Sequence, residues 1–327
     1  MSAQKQQRIF MTGASGYIGS RVTEFALAKG YAVHGLSRSE AGAAKLRALG
    51  AVPVSGNLST LDVLRAEAAQ ADIVIHLADA WIDDFSQPYD NVIKIDGAAV
   101  DAMAEGLAQS SSRSKLFLGT SGVGVVEPDA ADGETDEDSP ENSNPLNGRI
   151  KCERHVLSKG GADGIKACVM RLPSFVYGRG GSGVGLFMGV FTQAGFVARV
   201  GDGLMQTSVV HVDDAARAYV LAVERAYSGL AKTRDVYNVV SSTEVTIRDL
   251  TDAIAATMGL PVREMGAAEA AEKTSPLIAG FFTARIRGKA DKARRELGWT
   301  PTEAGVVEDI RDGSYVQVAK DLAGGRA

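Results

Sequence analysis

The chain has 327 residues, enough to bury a substantial core as one large α/β unit or as a main domain with a smaller annex. It is mildly acidic, with a formal charge of −5, and carries no basic run or arginine stripe, which argues against nucleic acid as a partner. No apolar stretch is long enough to span a bilayer, the N-terminus is polar rather than signal-like, and two cysteines and four scattered histidines make neither a disulfide framework nor a zinc signature. A reducing, cytoplasmic setting with buried free thiols is the expectation, and no metal is expected.

The first element in chain order is an apolar strand, Arg8–Met11. It runs directly into Thr12-Gly13-Ala14-Ser15-Gly16-Tyr17-Ile18-Gly19, followed by an amphipathic helix near 17–29 that stops at Gly30. A glycine loop between a strand and a helix is a dinucleotide-binding pattern. Gly13 allows the tight turn, Gly16 lets backbone approach a pyrophosphate, and Gly19 lets the helix pack closely on the strand. The amides at that helix start face the phosphates, where the helix dipole favours negative charge. A lone glycine triplet is weak evidence; the strand before and the helix after give it weight.

Short apolar runs then alternate with helical patterns. Strands are expected at Ala32–Ser37, Val52–Ser55, Ile73–Ala78, Leu116–Thr120 and Lys166–Leu172, with helices near 40–49, 60–69, 92–109 and 146–158. Strict alternation of apolar strands and helices predicts a parallel sheet covered on both faces, the doubly wound Rossmann-type arrangement with ligands at the carboxyl ends of its strands. One segment interrupts it: residues 127–141 read EPDAADGETDEDSPE and are expected to form a surface loop. A solvated acidic loop is the simpler reading and a lid over the site the alternative. After Leu172 the pattern becomes irregular, with a glycine-rich stretch from Gly178, a helix from Asp213 to about Ala226, a strand Val236–Val240, and a helix capped by Thr246 with Asp249 in its first turn. The division expected is a nucleotide-binding domain of residues 1–172 with returns near 212–240, and a substrate lobe from 173–211 and 241–327.

The second strand ends Leu36-Ser37-Arg38-Ser39, where an NAD-selective protein places an acid for the ribose hydroxyls. An arginine between two hydroxyls suits a 2′-phosphate through forked, charge-assisted hydrogen bonds. NADP(H) is therefore the expected cofactor, with NAD second.

Several further motifs occur in order: Gly56-Asn57-Leu58; His76-Leu77-Ala78; Thr120-Ser121-Gly122; Arg171-Leu172-Pro173-Ser174-Phe175-Val176-Tyr177-Gly178; Val210-His211-Val212-Asp213-Asp214; and Leu297-Gly298-Trp299-Thr300-Pro301. On these and the glycine loop, the chain resembles the extended short-chain dehydrogenase/reductase family, which includes nucleotide-sugar epimerases and dehydratases, over roughly residues 8–305. The resemblance implies cofactor contacts from Gly13, Ser15, Gly16, Tyr17, Ile18, Gly19, Ser37, Arg38, Ser39, Asn57, Leu58, Leu77, Ala78, Thr120, Lys151, Pro173, Ser174 and Val176. It also implies a substrate hydrogen bond from Ser121.

The family carries Tyr-x-x-x-Lys on its catalytic helix. This chain has Lys151 in the lysine place, but Asn147 in the tyrosine place, and so is similar to atypical members that lack the full catalytic set. An amide cannot act as a proton acid near neutral pH. Asp79 is the first substitute considered, against a turn or helix-cap role; Asp83, Asp84 and Tyr89 are further candidates, and water or a tyrosine from elsewhere remains open. Tyr177 reads as substrate-lining or packing, and His211 as structural. The function expected is an NADP(H)-dependent oxidoreductase acting on a small carbonyl, alcohol or related metabolite. The alternatives are a redox-silent NADP-binding regulator and a nucleotide-sugar epimerase or dehydratase. The partner expected is a small-molecule substrate, with a homodimer possible.

Overall fold

The computed structural model describes residues 6–83 and 87–325. Its first half follows the hydrophobic pattern closely: β1 Arg8–Thr12, α1 Tyr17–Ala28, β2 Ala32–Ser37, α2 Glu40–Leu49, β3 Val52–Ser55, α3 Leu61–Ala69, β4 Ile73–His76, α4 Tyr89–Gln109, β5 Leu116–Gly122, α5 Arg149–Ser158 and β6 Lys166–Leu172. The order continues with β7 Phe175–Tyr177, α6 Ser182–Ala194, β8 Val197–Val200, β9 Gln206–His211, α7 Val212–Tyr227, β10 Arg234–Asn238, β11 Ser242–Thr246, α8 Ile247–Met258 and β12 Val262–Met265. Five short helices close the chain: α9 Ala267–Lys273, α10 Pro276–Thr283, α11 Asp291–Leu297, α12 Val306–Asp312 and α13 Tyr315–Gly324.

Seven strands form one parallel sheet in the order β10-β6-β5-β4-β1-β2-β3. The order reverses at β1, so the ends of β1 and β4 part around a crevice, the place where ligands bind in open α/β sheets. The central strands β1, β4, β5 and β6 are largely apolar because both faces are covered. Ile9, Met11, Ile73, Ile75 and Leu118 pack with α1 and α7 residues such as Val22, Ala215 and Tyr219. Phe10, Val74 and Phe117 point to the other face and pack with Leu64, Val100, Met103 and Val156 of α3, α4 and α5.

A second core gathers Phe175, Phe187, Phe191, Val197, Ile254, Phe282, Ile310 and Tyr315, from β7, α6, β8, α8, α10, α12 and α13. Thr246 caps α8 with Asp249 in a reciprocal capping box, as its spacing implied. The segment around α11 packs elsewhere. Ala293, Leu297 and Trp299 join the first core against α7, and the Trp299 indole donates to the Asp214 carbonyl at 2.8 Å. Residues 290–299 therefore brace the nucleotide-side sheet, although they lie within the C-terminal third.

The acidic segment 127–141 is seated rather than merely solvated. Glu127 N–H donates to the Pro140 carbonyl at 2.7 Å, closing the loop on itself. Thr135 exchanges backbone bonds with Arg287 and Lys289 at 2.9 and 2.8 Å. The Glu137 carboxylate accepts the Asn238 N–H at 2.7 Å, and burial pushes its carboxyl above the usual range. Arg285 and Arg287 both reach Asp132.

Candidate active site and cofactor cleft

The glycine loop is built from steric necessity. Gly13 has φ +71°, and a Cβ there would lie 2.8 Å from the backbone nitrogen of Ala78. A Cβ on Gly19 would fall on the Gly13 carbonyl, inside van der Waals contact. Only hydrogen at these positions lets α1 begin so close to β1 and β4. Among the described residues no side chain caps α1, and no acid stands in its first turn, so its leading amides are left to an anion.

A buried polar chain fixes the floor below. The Thr12 hydroxyl accepts the N–H groups of Leu77 and Ala78 at 3.2 Å and pairs with His76 Nδ1 at 2.7 Å. His76 Nε2 meets Asp96 Oδ1 at 3.0 Å, and the Cys152 thiol lies beside Asp96. Burial raises the Asp96 carboxyl, but His76, Arg149 and Cys152 outweigh it and hold it below the usual range. Burial and Asp96 push the Cys152 thiol up to about 12, so it is an inert structural thiol. Both cysteines are free and buried.

Three hydroxyls converge at the start of α2. A Cβ on Gly42 would lie 2.5 Å from Ser37 Oγ, 3.1 Å from Ser15 Oγ and 3.3 Å from Ser39 Oγ. Ser39 caps the helix by accepting the Gly42 N–H at 3.2 Å, and Ser37 donates to the Ser39 carbonyl at 2.9 Å. Lys45 reaches back to the Ser15 carbonyl at 2.9 Å. The one acid in the first turn, Glu40, is exposed and turned to Arg47 at 2.7 Å.

The remaining cofactor candidates are spread around the crevice. Leu77 and Ala78 face Gly13 across the crevice. Asn57 is exposed and its Oδ1 accepts the Ser59 N–H at 2.8 Å, leaving the amide NH₂ as donor; Leu58 packs against the core beside it. Ser174 has a buried hydroxyl with no partner among the described residues; Pro173 stands beside it in the turn from β6 to β7, and Val176 lies within β7, in the core. Ile18 packs against the same core. Tyr17 spends its hydroxyl proton on the Gly178 carbonyl at 2.8 Å, and burial drives its phenol far up. Its side chain thus ties α1 to the second lobe, and only its backbone is left for a phosphate.

The catalytic candidates are arranged differently from their sequence spacing. The expected helix over 146–158 begins only at Arg149. Asn147 precedes it, with Oδ1 accepting the Arg149 N–H at 3.0 Å. Lys151 therefore does not share a helix face with Asn147. It stands 62% exposed, 3.9 Å from Asp90. The cation that enters the strand-end cluster is Arg149, two residues earlier and about 200° around the helix. Its Nη1 pairs with Asp79 Oδ2 at 2.5 Å and its Nη2 donates to the Thr120 carbonyl at 3.1 Å. Arg149 was absent from the sequence candidates. Helical spacing carried the missing signal: positions 149, 152, 153 and 156 follow i, i+3, i+4, i+7, and Cys152, Glu153 and Val156 are the buried face of α5.

Asp79 combines two engagements. Oδ1 caps the short 3₁₀ turn Ala80–Asp83 by accepting the Trp81 N–H at 2.8 Å, and Oδ2 holds Arg149. Thr120 is committed to the His76 carbonyl at 3.0 Å and the Tyr219 hydroxyl at 2.8 Å. Ser121 lies on the opposite sheet face, the face on which Gly119 meets Val156 of α5, because strand side chains alternate. Its hydroxyl is buried with no partner among the described residues, an unusual state for a native hydroxyl and one a bound polar group would relieve. The Asp83 side chain and Asp84 lie outside what the structure describes.

Tyr177 is a packing residue, 2% exposed, donating to the Ala304 carbonyl at 2.7 Å and edge-on to His211 at 5.3 Å. His211 caps α7 by accepting the Asp213 N–H at 3.1 Å. His211, Asp213 and Glu303 bring donor atoms within 4.8 Å of one another, but Asp213 is forked by Arg179 and Arg21, and Glu303 is held by Arg217. A cavity of about 360 Å³ separates the 127–141 loop from the second lobe, lined by Pro128, Asp129, Leu204, Met205, Gln206 and Arg287 among others. Neither Ser121 nor Arg149 lines it.

Comparison with known proteins agrees with this architecture. The chain is 32% identical over 309 residues to "Uncharacterized protein C2A9.02" of Schizosaccharomyces pombe, covering 94% of this chain and 99% of that protein. It is 28% identical over 326 residues to the 4-hydroxy-2-methyl-3-oxo-4-farnesyl-3,4-dihydroquinoline-1-oxide ketoreductase of Stigmatella aurantiaca, covering 89% and 91% of the two chains. The solved UDP-glucose 4-epimerase of Thermotoga maritima superposes with a TM-score of 0.73 at 19% identity, covering 97% of this chain and 100% of that one. The family model for the NAD dependent epimerase/dehydratase family matches residues 9–239, and the chain belongs to that family.

Proposed function

We propose that the protein is an NADP(H)-dependent oxidoreductase that interconverts a carbonyl and an alcohol on a small metabolite held between the strand ends and the second lobe. The observation that carries this reading is the pair of prepared sites on either side of the crevice. On one side, Ser15, Ser37 and Ser39 cluster over Gly42 at an α2 start whose only first-turn acid is turned away, and Arg38 follows Ser37 in the chain. Hydroxyls, a helix N-terminus and a guanidinium together suit a 2′-phosphate dianion. On the other side, the unpartnered Ser121 hydroxyl follows directly after Thr120, whose carbonyl accepts from Arg149 of the Arg149–Asp79 pair.

Gly13, Gly16 and the first-turn amides of α1 would hold the pyrophosphate, and Asn57 and Leu58 the adenine. The bound dinucleotide supplies or accepts a hydride. The chain's own residues do the rest: Ser121 orients the substrate oxygen, Arg149 provides fixed positive charge at the strand end, and Asp79 fixes Arg149. Asp79 is a poor candidate for the proton donor. Its carboxylate sits in an ion pair, and an ionised carboxylate only accepts hydrogen bonds. The ketoreductase relative is in keeping with carbonyl chemistry. The two free, buried thiols accord with a reducing, cytoplasmic setting.

The test is to follow nicotinamide absorbance with NADPH across a panel of aldehydes and ketones. Substrate-dependent loss of NADPH is the expected result. Tight NADPH binding with no turnover across the panel would replace this reading with that of a redox-silent NADP-binding regulator.

A further inference from the structure

The cavity of about 360 Å³ between the 127–141 loop and the second lobe is lined by none of the cofactor candidates, nor by Ser121 or Arg149. Its volume is that of a small-molecule site. One wall is the loop, which is closed at its base: Val126 bridges to Glu141, and the Asn142 N–H donates to the Val125 carbonyl at 2.9 Å. The facing wall is Leu204-Met205-Gln206 at the entry to β9, together with Arg285 and Arg287 after α10. That wall is partly apolar. Met205 packs against the second core, and Leu204, 57% exposed, adds apolar surface beside it.

The carboxylates around the cavity are already engaged. Asp129 accepts the Ala131 and Gly133 N–H groups at 2.8 and 3.0 Å. Glu244 accepts from Arg287 at 3.3 Å and from Gln206 at 3.2 Å. Arg287 is committed as well, to the Thr243 and Asp132 carbonyls in addition to Glu244. Arg285 differs. Among the described residues its guanidinium finds one acceptor, the Asp132 carboxylate, and the two side chains are 46% and 74% exposed. A guanidinium carries five N–H donors, so most of these are unspent. An exposed ion pair also holds weakly. An incoming anion can therefore take the place of Asp132 at little cost. Its apolar body then gains contact with Leu204 and Met205 that a short aspartate side chain does not supply.

We propose that this cavity is a ligand site separate from the dinucleotide crevice, that it takes an organic anion carried on an apolar body, and that the anionic group replaces Asp132 on Arg285. The proposal does not depend on the oxidoreductase reading. The bound molecule would bridge the 127–141 loop and the second lobe, across which Thr135 already pairs with Arg287 and Lys289.

The probe is 8-anilinonaphthalene-1-sulfonate, an anion on an aromatic body, titrated into the full chain with and without NADP⁺ and followed by its fluorescence. One probe molecule should bind at this site whether or not NADP⁺ is present. Arg285→Gln should weaken it by about tenfold or more, the loss of a charge-assisted hydrogen bond. Asp132→Asn should tighten it by about two- to fivefold, because the competing carboxylate is gone. Asparagine also tolerates the left-handed backbone that Asp132 adopts, φ +61°, so the loop keeps its shape. Both substitutions replace exposed side chains, and unchanged melting temperatures check that the fold is kept. N-phenyl-1-naphthylamine, the same aromatic body without the sulfonate, should bind at least about tenfold more weakly than the probe. Absence of probe binding, loss of it on adding NADP⁺, equal binding of the neutral analogue, or wild-type affinity in Arg285→Gln overturns the proposal. So does weaker binding in Asp132→Asn, since it would make that carboxylate part of the site rather than its competitor.

Discussion

Replacing Arg171 with methionine is expected to destabilise the protein by about 3–5 kcal/mol, the cost of leaving a buried charge without its partner. Arg171 and Glu153 are almost fully sealed, with side chains 6% and 2% exposed. The guanidinium forks onto the carboxylate, Nη2 to Oε1 at 2.6 Å and Nε to Oε2 at 3.0 Å. It also touches the Glu137 carbonyl of the acidic loop at 3.4 Å. One side chain therefore joins β6, α5 and that loop beside the start of α5, where Arg149 stands. Removing it strands the Glu153 carboxylate, and the melting temperature should fall by roughly 6–20 °C at ~2–4 °C per kcal/mol. The double variant Arg171→Met/Glu153→Leu should recover most of the loss, because no charge is left buried. Thermal and denaturant unfolding of both variants tests this. A single variant no less stable than the double one would contradict it.

The second large effect is expected at Gly19. In Gly19→Ala the new methyl group meets the Gly13 carbonyl and Ala14 Cα, which are backbone on both sides and cannot rotate aside. The start of α1 must move off the loop. Overpacking of this kind costs about 1–3 kcal/mol in stability. The amides of the first turn move with the helix, so NADPH affinity should fall by about 10–100-fold, tenfold per 1.4 kcal/mol. Calorimetry on the folded variant measures both changes. A Gly19→Ala protein with wild-type affinity would show that the glycine loop does not cradle the dinucleotide.

The centre of the parallel sheet was legible because β1, β4 and β6 are covered on both faces and read as near-continuous apolar runs. Ala32–Ser37, Val52–Ser55 and Lys166–Leu172 have the boundaries their composition implied. The glycine loop was legible because the steric demand on Gly13 and Gly19 is local. The catalytic helix was read only in part. Its start moved from 146 to 149 because Asn147 turns back onto the Arg149 amide, a local contact that propensity does not weigh. The family motif puts the cation at Lys151, whereas the buried face of α5 is set by Cys152, Glu153 and Val156. The seating of residues 127–141 rests on Arg285 and Arg287, about 150 positions away in the chain, and on backbone pairing with 287–289. Nothing in an acidic, proline-bearing stretch announces such partners. The second lobe was opaque for the same reason: α9, α10 and α12 are seven or eight residues long and owe their order to a shared core rather than to their own sequence.

The cofactor preference can be measured without knowing the substrate. Calorimetric titration of the wild-type protein with NADPH and with NADH, repeated on Arg38→Ala, addresses it directly. NADPH is expected to bind more tightly. Arg38→Ala is expected to weaken NADPH by about 1–3 kcal/mol through loss of a charge-assisted phosphate contact, with NADH unchanged. Equal affinities of the wild type for the two cofactors, or binding of neither, would contradict this.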